Sequence, residues 1–199
     1  MSDLANAIER VREASHSLDA AGSPFPLPIG DLAPLVAGTV SALERSDWWV
    51  PSLRERAGAV LRDVRVEALS DAFAGSRPYK VAPPSAGPAL GALTGVGLAL
   101  ALESGVAVVH LGIGSLSDGA FHEALNLAAL TQAPVVFVVA QRDLDDGAPV
   151  GPQVAADPMA LAHAFGVTTS TVDAHDAPAV HAAVRAAREA TPHLVCATL

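Results

Sequence analysis

Residues 106–111 (VAVVHL) and 135–140 (VVFVVA) are apolar at every position except His110. A strand with one solvated face alternates apolar and polar residues, whereas a strand without alternation is covered on both faces. Two such runs therefore demand a sheet buried between helices. The intervening sequence supplies them. The turn GIGSLS (112–117) leads into a predicted helix from about Asp118 to Gln132, which Pro134 stops. A polar loop follows the second strand, then a helix from about Asp157 to Ala164. TTSTVD (168–173) reads as a third strand, 177–189 as a helix, and HLVCAT (193–198), after Pro192, as a fourth strand. A further helix at 89–103 precedes the first strand. Strands separated by helices imply a parallel sheet with helices on both faces.

The sequence before residue 75 reads as helical. Ser2 or Asp3 can cap a helix to about Ala20, with Leu4, Ile8 and Val11 on one face. AAGSPFPLPIG breaks the pattern. Helices are predicted from about Asp31 to Leu43, from Ser52 to Leu61 and, shorter, over 66–73. Residues 74–88 are rich in Gly, Ser and Pro and read as a loop. The organisation expected is an N-terminal helical region with a Pro/Gly-rich loop (1–88) and a parallel α/β region (89–199), together one globular unit.

Composition excludes several classes. Of the 199 residues 51% are hydrophobic but only 4% aromatic, so the core must be built from Ala, Val and Leu, and disorder is excluded. The net charge of −9 and a single lysine, Lys80, leave no basic stripe for nucleic acid. One cysteine, Cys196, excludes an internal disulfide framework and fits a reducing cytoplasm. The charged N-terminus is not a signal peptide. Residues 81–102 carry no charge and match the roughly 20 apolar residues of a membrane helix. Pro83, Pro84 and Pro88 cut that run short, so it is expected to be a loop and a buried helix, with no membrane span.

In parallel α/β sheets ligands bind beyond the carboxyl ends of the strands, here 112–117, 140–146 and 173–176. Gly112, Gly114 and Ser115 can offer backbone N–H groups to a phosphate; equally, the glycines can simply permit a tight turn. A dinucleotide fingerprint is not met: Ser117 stands where a third glycine belongs, and Asp143 lies 29 residues beyond Gly114 rather than about 20. Asn126 interrupts H-E-x-x-H after His122 and Glu123, and Ser117 interrupts a nucleophile elbow at Ser115. The seven histidines show no ligand spacing; His110 is expected to be a satisfied buried residue, Cys196 a small buried hydrophobe, and Trp48-Trp49 a packing or interface pair.

The words around the glycine turn resemble one family. VAVVHLGIGSLSDGAFHEALNLAALTQAPVVFVVAQRD is similar to the alpha chains of thiamine-diphosphate-dependent 2-oxo acid dehydrogenases of the pyruvate, branched-chain and acetoin type. There the stretch runs GDG, F-x-E-A-x-N-x-A-A, Pro, an apolar strand and E-N-N. AFGV (164–167) and VDAHDAPAV (172–180) continue the likeness, and SALERSDWWVPSLRERAGAVLRDV extends it upstream more weakly. The resemblance implies a three-layer α/β/α parallel sheet of the thiamine-diphosphate-binding type with an N-terminal helical region. It also implies a longer chain, so that a C-terminal part is absent from this sequence.

The departures fall on the chemistry. The GDG aspartate and the second Asn of E-N-N bind the divalent cation that holds the diphosphate; these positions are Ile113 and Arg142. The S-Y-R word becomes Ser52-Leu53-Arg54. The loop 144–157 lacks the family's histidine, and Asp143, Asp145 and Asp146 form a negative cluster. The expectation is a non-catalytic alpha-chain-like protein without metal or cofactor. It would act as a homo-oligomer or with a beta-chain-like subunit. Two alternatives stay open. One is an active decarboxylating alpha subunit that binds thiamine diphosphate; separately, Arg54 and Arg142 could replace the metal and clamp an anion directly. The other is a phosphate- or nucleotide-binding module built on Gly112, Gly114 and Ser115.

Overall fold

The computed structural model describes all residues except 1–2, 22–26, 72, 86, 88, 142–143, 146–147 and 150–154. The elements that matter run in the order α1 (Asp3–Ala20), α2 (Ala33–Ser41), β1 (Trp48–Val50), α3 (Leu90–Leu100), β2 (Ala107–Gly112), α4 (Gly119–Thr131) and β3 (Val135–Gln141). There follow a two-residue antiparallel pair, β4 (Leu144–Asp145) and β5 (Ala148–Pro149), then α5 (Pro158–Ala164), β6 (Thr168–Asp173), α6 (Ala177–Arg188) and β7 (His193–Thr198). The main sheet is parallel, in the order β1-β2-β3-β7-β6.

Period-two alternation sends neighbouring strand residues into opposite layers. Val108, Val136, Val138, Ala140, Val195 and Ala197 enter the core shared with α1, α2 and α6. Val109, Leu111, Phe137, Val139, Leu194 and Cys196 enter the core shared with α3, α4 and α5. This is the three-layer α/β/α arrangement expected from the two unbroken apolar runs.

The region read as wholly helical contains a strand. Trp48, Trp49 and Val50 pair with Ala107, Val108 and Val109 at one edge of the sheet. Aromatic and β-branched residues suit a pleated surface, and Val81 bridges Trp49 on its outer side. The helix predicted from Ser52 is a 3-10 segment, Glu55–Arg62, ended by Asp63 in the left-handed conformation (φ 63°). A second 3-10 turn spans Val66–Leu69.

The uncharged run 81–102 resolves into a loop and α3. A Cβ on Gly95 would sit 2.1 Å from the Val109 side chain, so that glycine lets α3 lie directly on β2. Among the described residues no helix is long and apolar enough to cross a membrane.

Candidate functional site

The parallel register brings the carboxyl ends of the central strands level: Gly112 is opposite Ala140, and Gln141 opposite Thr198. The glycine turn therefore opens at the edge where ligands bind in such sheets. It does not feed straight into a helix. Ile113–Ser117 form a 3-10 turn, and α4 begins only at Gly119.

Gly112 is exposed and extended (φ −83°, ψ 155°), a conformation open to any residue, and a Cβ built there would meet nothing within 4 Å. Turn geometry thus does not require glycine at 112. Ile113 follows with its side chain 9% exposed, packed in the apolar cluster of Leu111, Leu116 and Phe121. Ser115 is buried, and its carbonyl accepts the Asp118 N–H at 3.2 Å. The Ser117 hydroxyl donates to the Gly114 carbonyl at 2.9 Å.

The start of α4 is already capped. The Asp118 carboxylate accepts the Ala120 N–H at 2.9 Å, placing a negative group where the helix would favour an anion. The sequence carried that signal, an Asp-Gly pair directly before the helical apolar pattern. Within α4, His122 Nε2 meets the Leu116 carbonyl at 2.9 Å, and the Asn126 amide donates to Glu123 at 3.4 Å.

The other candidates divide. Arg54, just past the carboxyl end of β1, donates to the Pro28 carbonyl at 3.4 Å. Beside it the Ser52 hydroxyl donates to the buried Glu55 carboxylate. Arg142, Asp143 and Asp146 lie outside the described residues. Gln141 turns toward β7: its side-chain oxygen accepts from the Cys196 thiol at 2.9 Å. Burial, with a smaller contribution from Asp157, pushes that thiol up to about 11. The structure thus unites Gly112, Ile113, Gly114 and Ser115 in one turn, and Arg54 follows the carboxyl end of β1, the strand paired with β2 on the same side of the sheet. His110 is buried as expected but not satisfied: its Nε2 has no hydrogen-bond partner among the described residues. It stands edge-on to Trp49 at 5.8 Å, and burial pushes its imidazole down to about 3.

Layers, strand order and the cleft position define the class: an α/β/α fold of the thiamine-diphosphate-binding type. A transketolase from Campylobacter jejuni superposes with a TM-score of 0.82 at 19% identity, over all of this chain and 38% of that one. A transketolase variant from Pichia stipitis gives 0.77 at 25% identity, over all of this chain and 36% of its own. The family itself follows from sequence: residues 34–193 match the dehydrogenase E1 component, and the chain belongs to that family.

Pyruvate dehydrogenase E1 component subunit alpha of Staphylococcus aureus is 32% identical over 163 residues, 74% of this chain and 43% of that protein. The mitochondrial 2-oxoisovalerate dehydrogenase subunit alpha 1 of Arabidopsis thaliana is 37% identical over 98 residues, 48% of this chain and 21% of that protein. The chain thus spans less than half the length of either relative.

The residues at the turn do not fit a metal-held diphosphate. A hard divalent cation needs oxygen ligands, and position 113 presents a buried aliphatic side chain instead. Among the described residues no three His, Cys, Asp or Glu side chains converge to hold a metal.

Proposed function

We propose that this chain is a non-catalytic relative of the E1 alpha subunits, which has given up the metal and thiamine diphosphate site and works in the cytoplasm by associating with a second chain. The observation that carries the reading is Ile113, an apolar side chain packed into the core at the position of the family's metal-binding aspartate. The carboxylate of Asp118 at the head of α4 supports it, because it would repel a diphosphate placed there. The open space above Gly112 is what remains of a ligand-binding turn once the neighbouring position has become apolar.

Association is supported by the outer face of α3 and α4. Leu90 and Leu100 of α3 are 48% and 49% exposed, and Leu130 of α4 is 76% exposed. Gly97 lies between the two leucines of α3. A Cβ there would meet nothing, so glycine relieves no crowding inside the chain, yet it costs an exposed helix about 1 kcal/mol relative to alanine. Close approach of another chain gives it a purpose. The first occupant to test is a second copy: two molecules of charge −9 meet with least repulsion on a face whose helix, α3, has no charged residue. A beta-chain-like subunit is the other outcome.

Titration calorimetry with thiamine diphosphate, with and without Mg²⁺, tests the first half. No heat is expected in either case, and Mg²⁺-dependent binding by the unaltered chain restores the reading of an active alpha subunit. Binding without Mg²⁺ favours the arginine clamp or a simple phosphate site instead. Ile113→Asp combined with Arg142→Asn is expected to gain Mg²⁺-dependent binding. Sedimentation across a concentration series tests the second half. A monomer at every concentration, unchanged by a beta chain from the same organism, removes it.

A further inference from the structure

At the opposite end of the sheet, between the C-terminal end of α2, the end of the 3-10 segment Glu55–Arg62 and the turn before Val81, lies a cleft of about 360 Å³. That volume falls within the range of small-molecule sites, roughly 300–1,000 Å³. Val40, Leu43 and Leu61 give it an apolar floor, continuous with the core under α1, α2 and α6. Pro78 and Tyr79 form one wall, and Arg45, Arg62 and Asp63 stand among its lining charges.

Arg62 fixes the shape. Its Nε donates to the Tyr79 carbonyl at 2.8 Å, one terminal nitrogen to the Glu44 carbonyl at 3.3 Å, and the other to the Asp47 carbonyl at 3.0 Å. One side chain thus ties three wall segments together, so the cleft exists before anything enters it. Glu44 is also committed, since Arg185 and Arg188 hold its carboxylate.

Arg45 and Asp63 are not. Among the described residues neither side chain makes a hydrogen bond or ion pair, and the Tyr79 hydroxyl makes none. Arg62 supplies a background field at Asp63 without bonding it. Opposite charges sharing one small cleft would pair if they could reach each other; these remain apart, above an apolar floor.

We propose that this cleft binds a small zwitterion with an apolar side chain, an α-amino acid, with the carboxylate on Arg45, the ammonium on Asp63 and the side chain on Val40, Leu43 and Leu61. A guanidinium suits a carboxylate, and each charge-assisted bond is stronger than its neutral counterpart. Both anchors are solvent-exposed, so binding is weak and its specificity rests on the two charges acting together.

The probe is L-phenylalanine titrated into the full chain, with amide shifts followed by NMR. Two analogues accompany it: 3-phenylpropionate, which lacks the ammonium, and 2-phenylethylamine, which lacks the carboxylate. Phenylalanine is expected to shift the amides of residues 43–45, 61–63 and 79, and each analogue to bind about tenfold more weakly, the size of one lost charged contact. Arg45→Gln and Asp63→Asn touch no internal bond, and asparagine tolerates the left-handed backbone at 63. Each is expected to reduce phenylalanine binding to the level of the matching analogue. Phenylalanine that moves no cleft amide, or analogues that bind as tightly as phenylalanine, overturn the proposal.

Discussion

At the amino end of the sheet Asp47 is fully buried, and every bond its carboxylate can use is made. One oxygen accepts the Glu44 N–H at 2.7 Å and Arg188 Nε at 2.9 Å; the other accepts the Val106 N–H at 3.0 Å and a second Arg188 nitrogen at 3.3 Å. At the carboxyl end the glycine turn holds Ile113, buried in an apolar cluster with Leu111, Leu116 and Phe121. One buried position is charged and surrounded by donors; the other is apolar. A buried carboxylate persists where the fold itself supplies its partners. Without such donors a buried carboxylate carries an uncompensated charge, and in an apolar cluster an aliphatic side chain such as Ile113 is the more stable occupant.

The largest expected effect follows from that contrast. Asp47→Ala leaves Arg188, whose side chain is only 6% exposed, facing the space that its carboxylate filled. It also strips the Val106 N–H of its acceptor. Removing one partner of a buried pair costs about 3–5 kcal/mol, and the loss should appear as a lower urea midpoint. A change under about 1 kcal/mol, the scale of a surface pair, would show that this end of the sheet is as indifferent to charge as the other.

How much of this the sequence showed depends on the range of the forces involved. VAVVHL and VVFVVA announced a covered parallel sheet because burial on both faces is written into consecutive residues. Ile113 stood out because the resemblance runs without a gap from the glycine turn through FHEALNLAA to PVVF. Asp47 gave no such signal: its partners Val106 and Arg188 are 59 and 141 residues away, and only the folded chain brings them together. The one local bond of its carboxylate is the Glu44 N–H three residues away, and at the distant turn Gly105, with φ +86°, leaves room for the carboxylate, which lies 2.8 Å from where a Cβ would sit. β1 was missed because a three-residue edge strand is too short to display a period. The Arg54 expectation rests on a matched word; in the structure its side chain donates to the Pro28 carbonyl, a bond that the sequence gives no sign of.

His110 lies between the two ends, and its expected effect is intermediate. Unfolded, its imidazole takes up a proton near the ordinary 6.5; folded, burial keeps it neutral down to about 3. Between those values the unfolded state binds more protons, so stability is full above pH 6.5 and falls as the pH drops. At about 1.4 kcal/mol per pH unit the contribution of this one residue at pH 5 is a loss of roughly 2 kcal/mol. Urea unfolding at pH 7 and pH 5 measures it, and His110→Leu is expected to remove that share of the difference. If the variant keeps the full pH dependence, the buried carboxylates rather than His110 control it.

The smallest effect is expected at Arg185, and it separates burial from proximity. Arg185 and Arg188 approach the same Glu44 oxygen at nearly the same distance, 3.2 and 3.1 Å. They differ in exposure: the Arg185 side chain is 50% exposed and that of Arg188 only 6%. An ion pair in water gains little, because solvent screens it and two long side chains lose freedom to hold it. Arg185→Ala should therefore leave the urea midpoint unchanged, whereas Arg188→Ala leaves Asp47 buried without its cation and should shift it strongly. Equal shifts would mean that distance to Glu44, not the desolvation of Asp47, sets the energetics of the amino end, and the contrast with Ile113 would then rest on surface charge alone.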